Sequence, residues 1–162
     1  MDVERPTTDD LDAIVEQWVA LATEQRAHGS HLAAEGNREA VRETVARAIV
    51  TDCARVARDD GDLLGFVTFE PGSSSYEQDV RRGHVQNLYV RPDARGAGVG
   101  AALLDAAERA LASAGADVVS LEALADNAAA RRFYRREGYD VHRVTMEKSL
   151  ADESDNHSKG DR

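Results

Sequence analysis

The sequence predicts a single α/β domain, and three observations carry that prediction. Segments with strand-like alternation and segments with helical spacing succeed one another along most of the chain. Between Val85 and Leu111 a strand runs into a glycine-rich turn and then into a helix. The length, 162 residues, suits one domain with one sizeable core. No internal repeat or linker divides it. Residues 1–150 are read as the domain, and residues 151–162, polar and charged, as a disordered tail.

Taken in order, Val3-Glu4-Arg5-Pro6 reads as a short first strand. Thr8 is the expected N-cap of a helix whose apolar set is Leu11, Ile14, Val15, Trp18, Val19 and Leu21, with Asp9 and Asp10 suited to its positive end. Trp18 shares that spacing and is expected in the core. Arg26 to His31 breaks the pattern; His28 and His31 lack further ligands at metal-site spacing, so a solvated loop is expected. Asn37 to Val50 is a second amphipathic helix. Its i,i+4 pairs Arg38–Arg42 and Glu39–Glu43 are like-charged, so packing rather than surface ion pairs should hold it. Ala54 to Arg58 and Leu63 to Phe69, joined by Asp59-Asp60-Gly61-Asp62, form an antiparallel hairpin. Residues 71–75 are a loop leading to the strand Val85–Val90. The following helix carries Val99, Leu103, Leu104, Ala107 and Leu111 and stops at Gly115. Asp117 to Leu124 is the next strand, Asn127 caps a helix bearing Phe133 and Tyr134 that ends at Gly138, and Val141 to Met146 supplies the last strand or strands.

Composition narrows the function classes. The net charge of −10 argues against general nucleic-acid binding, which needs a basic face. Hydrophobic residues make up 42% and aromatics 5%, so the core is aliphatic, and no run has the apolar length to span a bilayer. The start of the chain has neither a basic region nor an apolar stretch, and Cys53 is the single cysteine, which rules out an intrachain disulfide; a soluble cytoplasmic protein without a metal is expected. Of 20 basic residues only Lys148 and Lys159 are lysine. With the acidic excess, that suggests a salt-adapted source such as a halophilic archaeon.

The chemistry concentrates in His84-Val85-Gln86-Asn87-Leu88-Tyr89-Val90-Arg91-Pro92-Asp93-Ala94-Arg95-Gly96-Ala97-Gly98-Val99-Gly100. The first amides of a helix have no intrahelical partner and carry partial positive charge, so a strand, glycine turn and helix start make an anion site. Glycines at 96, 98 and 100 would let the backbone approach a phosphate. A nucleotide P-loop would need Lys and Ser/Thr after its glycines, but Ala101 follows Gly100. A dinucleotide fingerprint would place G-x-G-x-x-G directly after the strand. Here the spacing is G-x-G-x-G, behind an intervening Arg-Pro-Asp-Ala-Arg segment.

Arg95-Gly96-Ala97-Gly98-Val99-Gly100 does resemble the R/Q-x-x-G-x-G/A pyrophosphate loop of the GCN5-related N-acetyltransferases (GNAT). Leu121-Glu122 through Asn127, then Phe133-Tyr134-Arg135-Arg136-Glu137-Gly138-Tyr139, is similar to that superfamily's second signature. The resemblance covers roughly residues 2–150. It implies a central mixed, mostly antiparallel sheet flanked by helices, and transfer of an acetyl group from acetyl-CoA directly to a primary amine, with Cys53 outside both signatures. A homodimer is common in that family.

By the same resemblance, Leu88, Tyr89 and Val90 would offer backbone groups to the pantetheine arm. Arg95, Gly96, Ala97, Gly98, Val99 and Gly100 would hold the pyrophosphate, with Asn127 and Tyr134 also at the cofactor. Tyr134 would be the general acid for the leaving thiolate. A carboxylate common on the family's central strand is replaced by Gln86 and Asn87, so Glu122 is the preferred general base, with Glu77, His84 or a water chain as alternatives. Arg91, Arg95, Arg131, Arg132, Arg135 and Arg136 fall in the signature stretches, with Arg81 and Arg82 just ahead of the first, where they would steer a polyanion. The loss of a carboxylate at 86 and 87 leaves a second reading, a non-catalytic acetyl-CoA-binding sensor, and a third, a nucleotide-binding regulator. The acceptor is not legible.

Overall fold

Asp60 and Gly61, both at positive φ (49° and 84°), close the tight turn that starts the sheet. In the computed structural model, which describes residues 1–72 and 76–151, they join strand β2 (Ala54–Asp59) to β3 (Asp62–Pro71). The other elements are β1 (Asp2–Glu4), α1 (Leu11–Arg26), α2 (Arg38–Val50), β4 (Arg82–Val90), α3 (Val99–Ser113), β5 (Val118–Ser120) and α4 (Ala128–Arg136). The sheet order is β1-β2-β3-β4-β5, antiparallel except for the parallel β4–β5 pair. Of the expected loop at 71–75, residues 73–75 lie outside the described residues, as do residues 152–162 of the expected tail.

Two apolar layers sandwich the sheet. On one face α1 and α2 bury Ile14, Val15, Trp18, Val41 and Val45 against Val56, Phe66 and Tyr89. On the other, α3 buries Val99, Leu103, Leu104, Ala107 and Leu111 against Ala57, Val67, Phe69 and Val85, with Phe133, Tyr134 and Tyr139 packed at the margin. Trp18 is a core residue, as its spacing predicts. Gly115, at φ 99°, ends α3, its N–H donating to Ala112 O while Ala116 N–H donates to Leu111 O.

Three expectations are corrected. The first helix is capped by Thr7, not Thr8. Thr7 Oγ1 accepts from Asp9 N, and Asp10 Oδ2 accepts from Thr7 N, a reciprocal capping box on the short 3₁₀ turn Thr8–Asp10 that leads into α1. Thr7→Ala should therefore cost about 1 kcal/mol, read as a lower urea midpoint at unchanged slope. Packing does hold α2, through buried Val41, Val45 and Ala48, and ion pairs are added on its exposed side. Its like-charged arginines reach across to another helix, Arg38 to Glu16 and Arg42 to Asp12, while Arg38 also pairs with Glu35 at 2.8 Å.

The strand expected over 117–124 is paired only at Val118–Ser120, because β4 offers a straight partner only as far as His84. Finally, Val141 to Met146 forms no strand. Val141 and Val144 fall on opposite faces under a two-residue repeat, and three-residue β5 offers little edge to pair with, so Val141 and Met146 stand 67% and 89% exposed.

The register contains a β-bulge. Thr68 pairs with Asn87 and Phe69 with Val85, so Gln86 is the extra residue on β4. The slip moves Val85 onto the α3 face together with Leu88 and Val90, while Tyr89 packs against α1 and α2.

Candidate active site

The bulge sits where β4 loses its neighbour. Ladder pairing with β5 ends at His84↔Ser120, where His84 Nδ1 and Ser120 Oγ lie 3.0 Å apart. Beyond that point no strand among the described residues covers the far edge of β4. Arg91 N donates to Leu64 O at 2.8 Å, which turns that amide toward β3. By alternation the backbone groups of Leu88 and Val90 face the open edge. Val90 O is met there by Arg95 Nε at 2.8 Å.

The chain leaves β4 through the Pro92–Ala94 turn and enters α3 by way of Gly96 (φ 83°) and Gly98 (φ 85°), left-handed conformations that suit glycine. No atom lies within 4 Å of where a Cβ would stand on either, so the space above the loop is open. Gly98 O accepts the first helical bond, from Ala102 N at 3.0 Å. The preceding N–H groups, Gly96 to Ala101, have no protein acceptor among the described residues and cluster at the helix's positive end. Gly100 differs from its neighbours. A Cβ there would stand 3.4 Å from Phe133 Cζ and 3.7 Å from Val90 Cγ2, so this glycine admits α4 against the start of α3 and the end of β4.

That approach brings the second signature to the first. Asn127 Oδ1 accepts from Ala130 N at 3.1 Å and caps α4, leaving its Nδ2 without a protein partner among the described residues. Tyr134 packs against Phe133 (ring centroids 5.2 Å apart) and edge-on to Tyr139 (6.0 Å). Burial pushes the Tyr134 hydroxyl up to about 12, and no described residue hydrogen-bonds it. Tyr139 is raised further, first by burial and then by its hydroxyl's 2.7 Å hydrogen bond to Glu108 Oε2.

The remaining sequence-predicted residues are placed less uniformly. Arg95 is paired with α1. Its Nη2 bonds both oxygens of Glu24 on α1 at 3.0 Å, and its guanidinium lies 5.4 Å from the Tyr89 ring centroid. Ala97 and Val99 complete the loop, Ala97 exposed and Val99 buried in the core. Glu122 follows the end of β5, exposed and unpaired among the described residues. Glu77 is exposed in the irregular segment ahead of β4. Asn87 Nδ2 donates to the buried Thr68 Oγ1 at 2.9 Å, on the α1 face of β4. Arg132, Arg135 and Arg136 are exposed on α4 and unpaired among the described residues. His28 and His31 each face a carboxylate, Asp126 at 3.3 Å and Glu147 at 2.8 Å. The Gln86 bulge, the His84–Ser120 contact and the Tyr139–Glu108 bond escape sequence reading, since each depends on partners from separate segments.

No helix among the described residues is long and apolar enough to cross a membrane, and no cluster of three or more His, Cys, Asp or Glu there could hold a metal. The sequence profile of the Acetyltransferase (GNAT) family matches residues 14–139. An uncharacterized N-acetyltransferase of Methanocaldococcus jannaschii is 37% identical over 89 residues, which are 54% of this chain and 53% of that one. The chain spans about half the length of several curated relatives it matches. Among solved structures, a GCN5-related N-acetyltransferase from Ralstonia eutropha superposes with a TM-score of 0.69 at 25% identity, covering 93% of this chain and 99% of that one. The PaiA N-acetyltransferase of Thermoplasma acidophilum, in complex with coenzyme A, shares the fold with a TM-score of 0.73 at 18% identity, over 89% and 92% of the two chains. With the profile spanning both signatures and most of the sheet, this chain belongs to the GNAT family of acetyltransferases.

Proposed function

We propose that the protein transfers the acetyl group of acetyl-CoA directly to a primary amine: a protein N-terminus, a lysine or a small-molecule amine. One observation carries this reading. The open edge of β4, the unpaired amides at the start of α3 and the aromatic face of α4 converge where Gly100, Val90 and Phe133 meet. The substrate's chemistry fits those groups. A pyrophosphate needs clustered N–H donors, supplied by Gly96 to Ala101. An amide-bearing pantetheine arm needs a free strand edge, supplied by Leu88 and the N–H of Val90. Asn127 Nδ2 adds a donor, and the exposed arginines of α4 attract a polyanion within an otherwise acidic chain.

Attack by the amine requires a neutral nitrogen, and departure of the thiolate is eased by a proton. Tyr134 gives its proton to the departing sulfur. Its raised pKa keeps that proton in place through the pH range in which a lysine-like amine titrates. Glu122, exposed beyond the point where β5 leaves β4, takes the amine proton. Arg95 acts as a strut, tying Val90 O and Glu24 together beneath the loop. Cys53 lies at the far end of α3, which supports transfer without a cysteine-bound intermediate.

The test is CoA release from acetyl-CoA against a panel of amines and peptides, at low and molar salt. Acceptor-dependent release supports the reading, and activity gained in molar salt would support the salt-adapted origin that the acidic, lysine-poor composition suggests. Glu122→Gln should lower kcat/KM about tenfold near neutral pH. That deficit should shrink toward pH 10, where the amine deprotonates unaided. A deficit independent of pH would remove Glu122 from proton transfer. One observation favours a second reading, an acetyl-CoA sensor: β4 presents Gln86 and Asn87 with no carboxylate between them. Tight acetyl-CoA binding with no turnover on any acceptor would select it.

A further inference from the structure

At the other end of α3, roughly 15 Å from Gly100 by helix rise, a cleft of about 500 Å³ opens between the end of that helix, the loop after α2 and the end of β3. Its volume is that of a small-molecule pocket. Its floor is apolar, with Phe69, Pro71, Ala110 and Leu111, and its charge is supplied by Arg5, Arg55 and Arg109. Three guanidiniums on one cleft are unexpected in a chain of net charge −10.

Arg55 is the informative one. Its side chain is only 13% exposed, lies 5.4 Å from the Phe69 ring centroid, and bonds through Nη1 alone, to Asp52 Oδ1 (2.9 Å), Ala54 O (2.7 Å) and Asp52 O (3.4 Å). The N–H groups on its Nε and Nη2 have no protein acceptor among the described residues. Neither nitrogen is sealed from solvent, so both donors are available to an acceptor that enters the cleft. Asp52, at φ 61°, is the carboxylate in the lining, and its Oδ1 is shared between Arg55 and Arg5 Nε (3.1 Å). Arg109 pairs with Asp105 at 2.8 Å and is otherwise exposed at the rim. Carbonyls in the last turn of α3, which would repel an anion, are engaged: Ala110 O, Leu111 O and Ala112 O accept from Ala114, Ala116 and Gly115.

We propose that this cleft is a second ligand site, separate from the acetyltransferase cleft, for a small organic anion with an apolar body. A carboxylate or phosphate group sits on the free Nε and Nη2 donors of Arg55, flanked by Arg5 and Arg109. The apolar body lies along Pro71, Ala106 and Ala110. Arginine suits either group because its planar fork bonds two oxygens at once.

Cys53 lines the same cleft and is the chain's single cysteine, so its alkylation reports occupancy. The full chain is treated with iodoacetamide, an uncharged reagent, at constant ionic strength, with benzoate, phenyl phosphate or benzyl alcohol added. The two anions distinguish a carboxylate from a phosphate ligand, and the alcohol tests for apolar filling alone. The expected result is alkylation slowed about tenfold when an anion stands at ten times its dissociation constant. Benzyl alcohol should give no protection, and Arg55→Gln should abolish that of the anions. The double variant Arg5→Gln/Arg109→Gln, altered only at exposed side chains, should weaken protection and keeps the test decisive if Arg55→Gln does not fold. Protection by neither anion, equal protection by the alcohol, or protection unchanged in both variants would overturn the proposal. So would protection that saturating CoA removes.

Discussion

Tyr134→Phe should lower kcat about 100-fold while leaving the KM for acetyl-CoA nearly unchanged, the signature of a proton donor lost from the transition state alone. The ring stays in its aromatic contacts with Phe133 and Tyr139. The hydroxyl has no protein hydrogen bond among the described residues, so its removal orphans no partner and the melting temperature should barely move. The pH dependence follows from burial. With the folded pKa raised from 10.0 to about 12, the neutral phenol persists well past neutrality. The parent's kcat/KM should therefore climb as the amine deprotonates, with no descending limb from this tyrosine until near pH 12. The same shift has a stability consequence. The folded state holds a proton that the unfolded chain releases near pH 10, so its contribution is complete below pH 10 and is lost as pH rises toward 12; the phenylalanine variant lacks that alkaline loss. A kcat within about twofold of the parent would take Tyr134 out of the chemistry.

Gly98→Val should raise the dissociation constant for CoA about 30-fold, near 2 kcal/mol. Gly98 stands at φ 85° with open space where a side chain would go, so valine meets no clash with the fold. The penalty is in the backbone. A β-branched residue resists positive φ, and the loop relieves that strain by rotating away from the conformation that groups the N–H donors of Gly96 to Ala101. Gly29 makes the matched control. It has φ 97° and nothing within 4 Å, but lies in the loop after α1. Gly29→Val should carry a similar folding cost in urea and leave CoA binding, measured by calorimetry, at the parental value. Equal binding losses in the two variants would show that the effect is general destabilisation rather than a spoiled phosphate cradle.

Much of the architecture is legible in residue order because its signals are local. Asp60-Gly61 can close only a tight turn, Gly115 and Gly138 end helices at φ 99° and 95°, and the apolar spacing from Val99 to Leu111 names the face of α3 that is buried. The loop glycines are legible for the same reason: Gly96 and Gly98 take left-handed φ beside open space. Gly100 also admits the approach of Phe133, a contact that no spacing rule connects to it. The position of Arg95 in the motif suggests a phosphate ligand; its bonds to Glu24, on a helix far earlier in the chain, are not legible from that position. The expected strand from Val141 to Met146 is absent because strand propensity needs a long enough partner edge, and β5 ends at Ser120.

By itself, then, the order of residues determined the helices, the hairpin and the glycine turn, because turns, caps and hydrophobic periods are properties of neighbours along the chain. Tertiary structure alone decided how β4 presents its chemistry. Simple alternation would put Val85, Asn87 and Tyr89 on one face. The bulge at Gln86, set by pairing with Thr68 and Phe69, instead turns Val85 toward α3 and leaves Asn87 and Tyr89 facing α1. A period of two carries no record of where one residue is skipped; that depends on the partner strand, and with it the point at which β4 parts from β5 and the cleft opens.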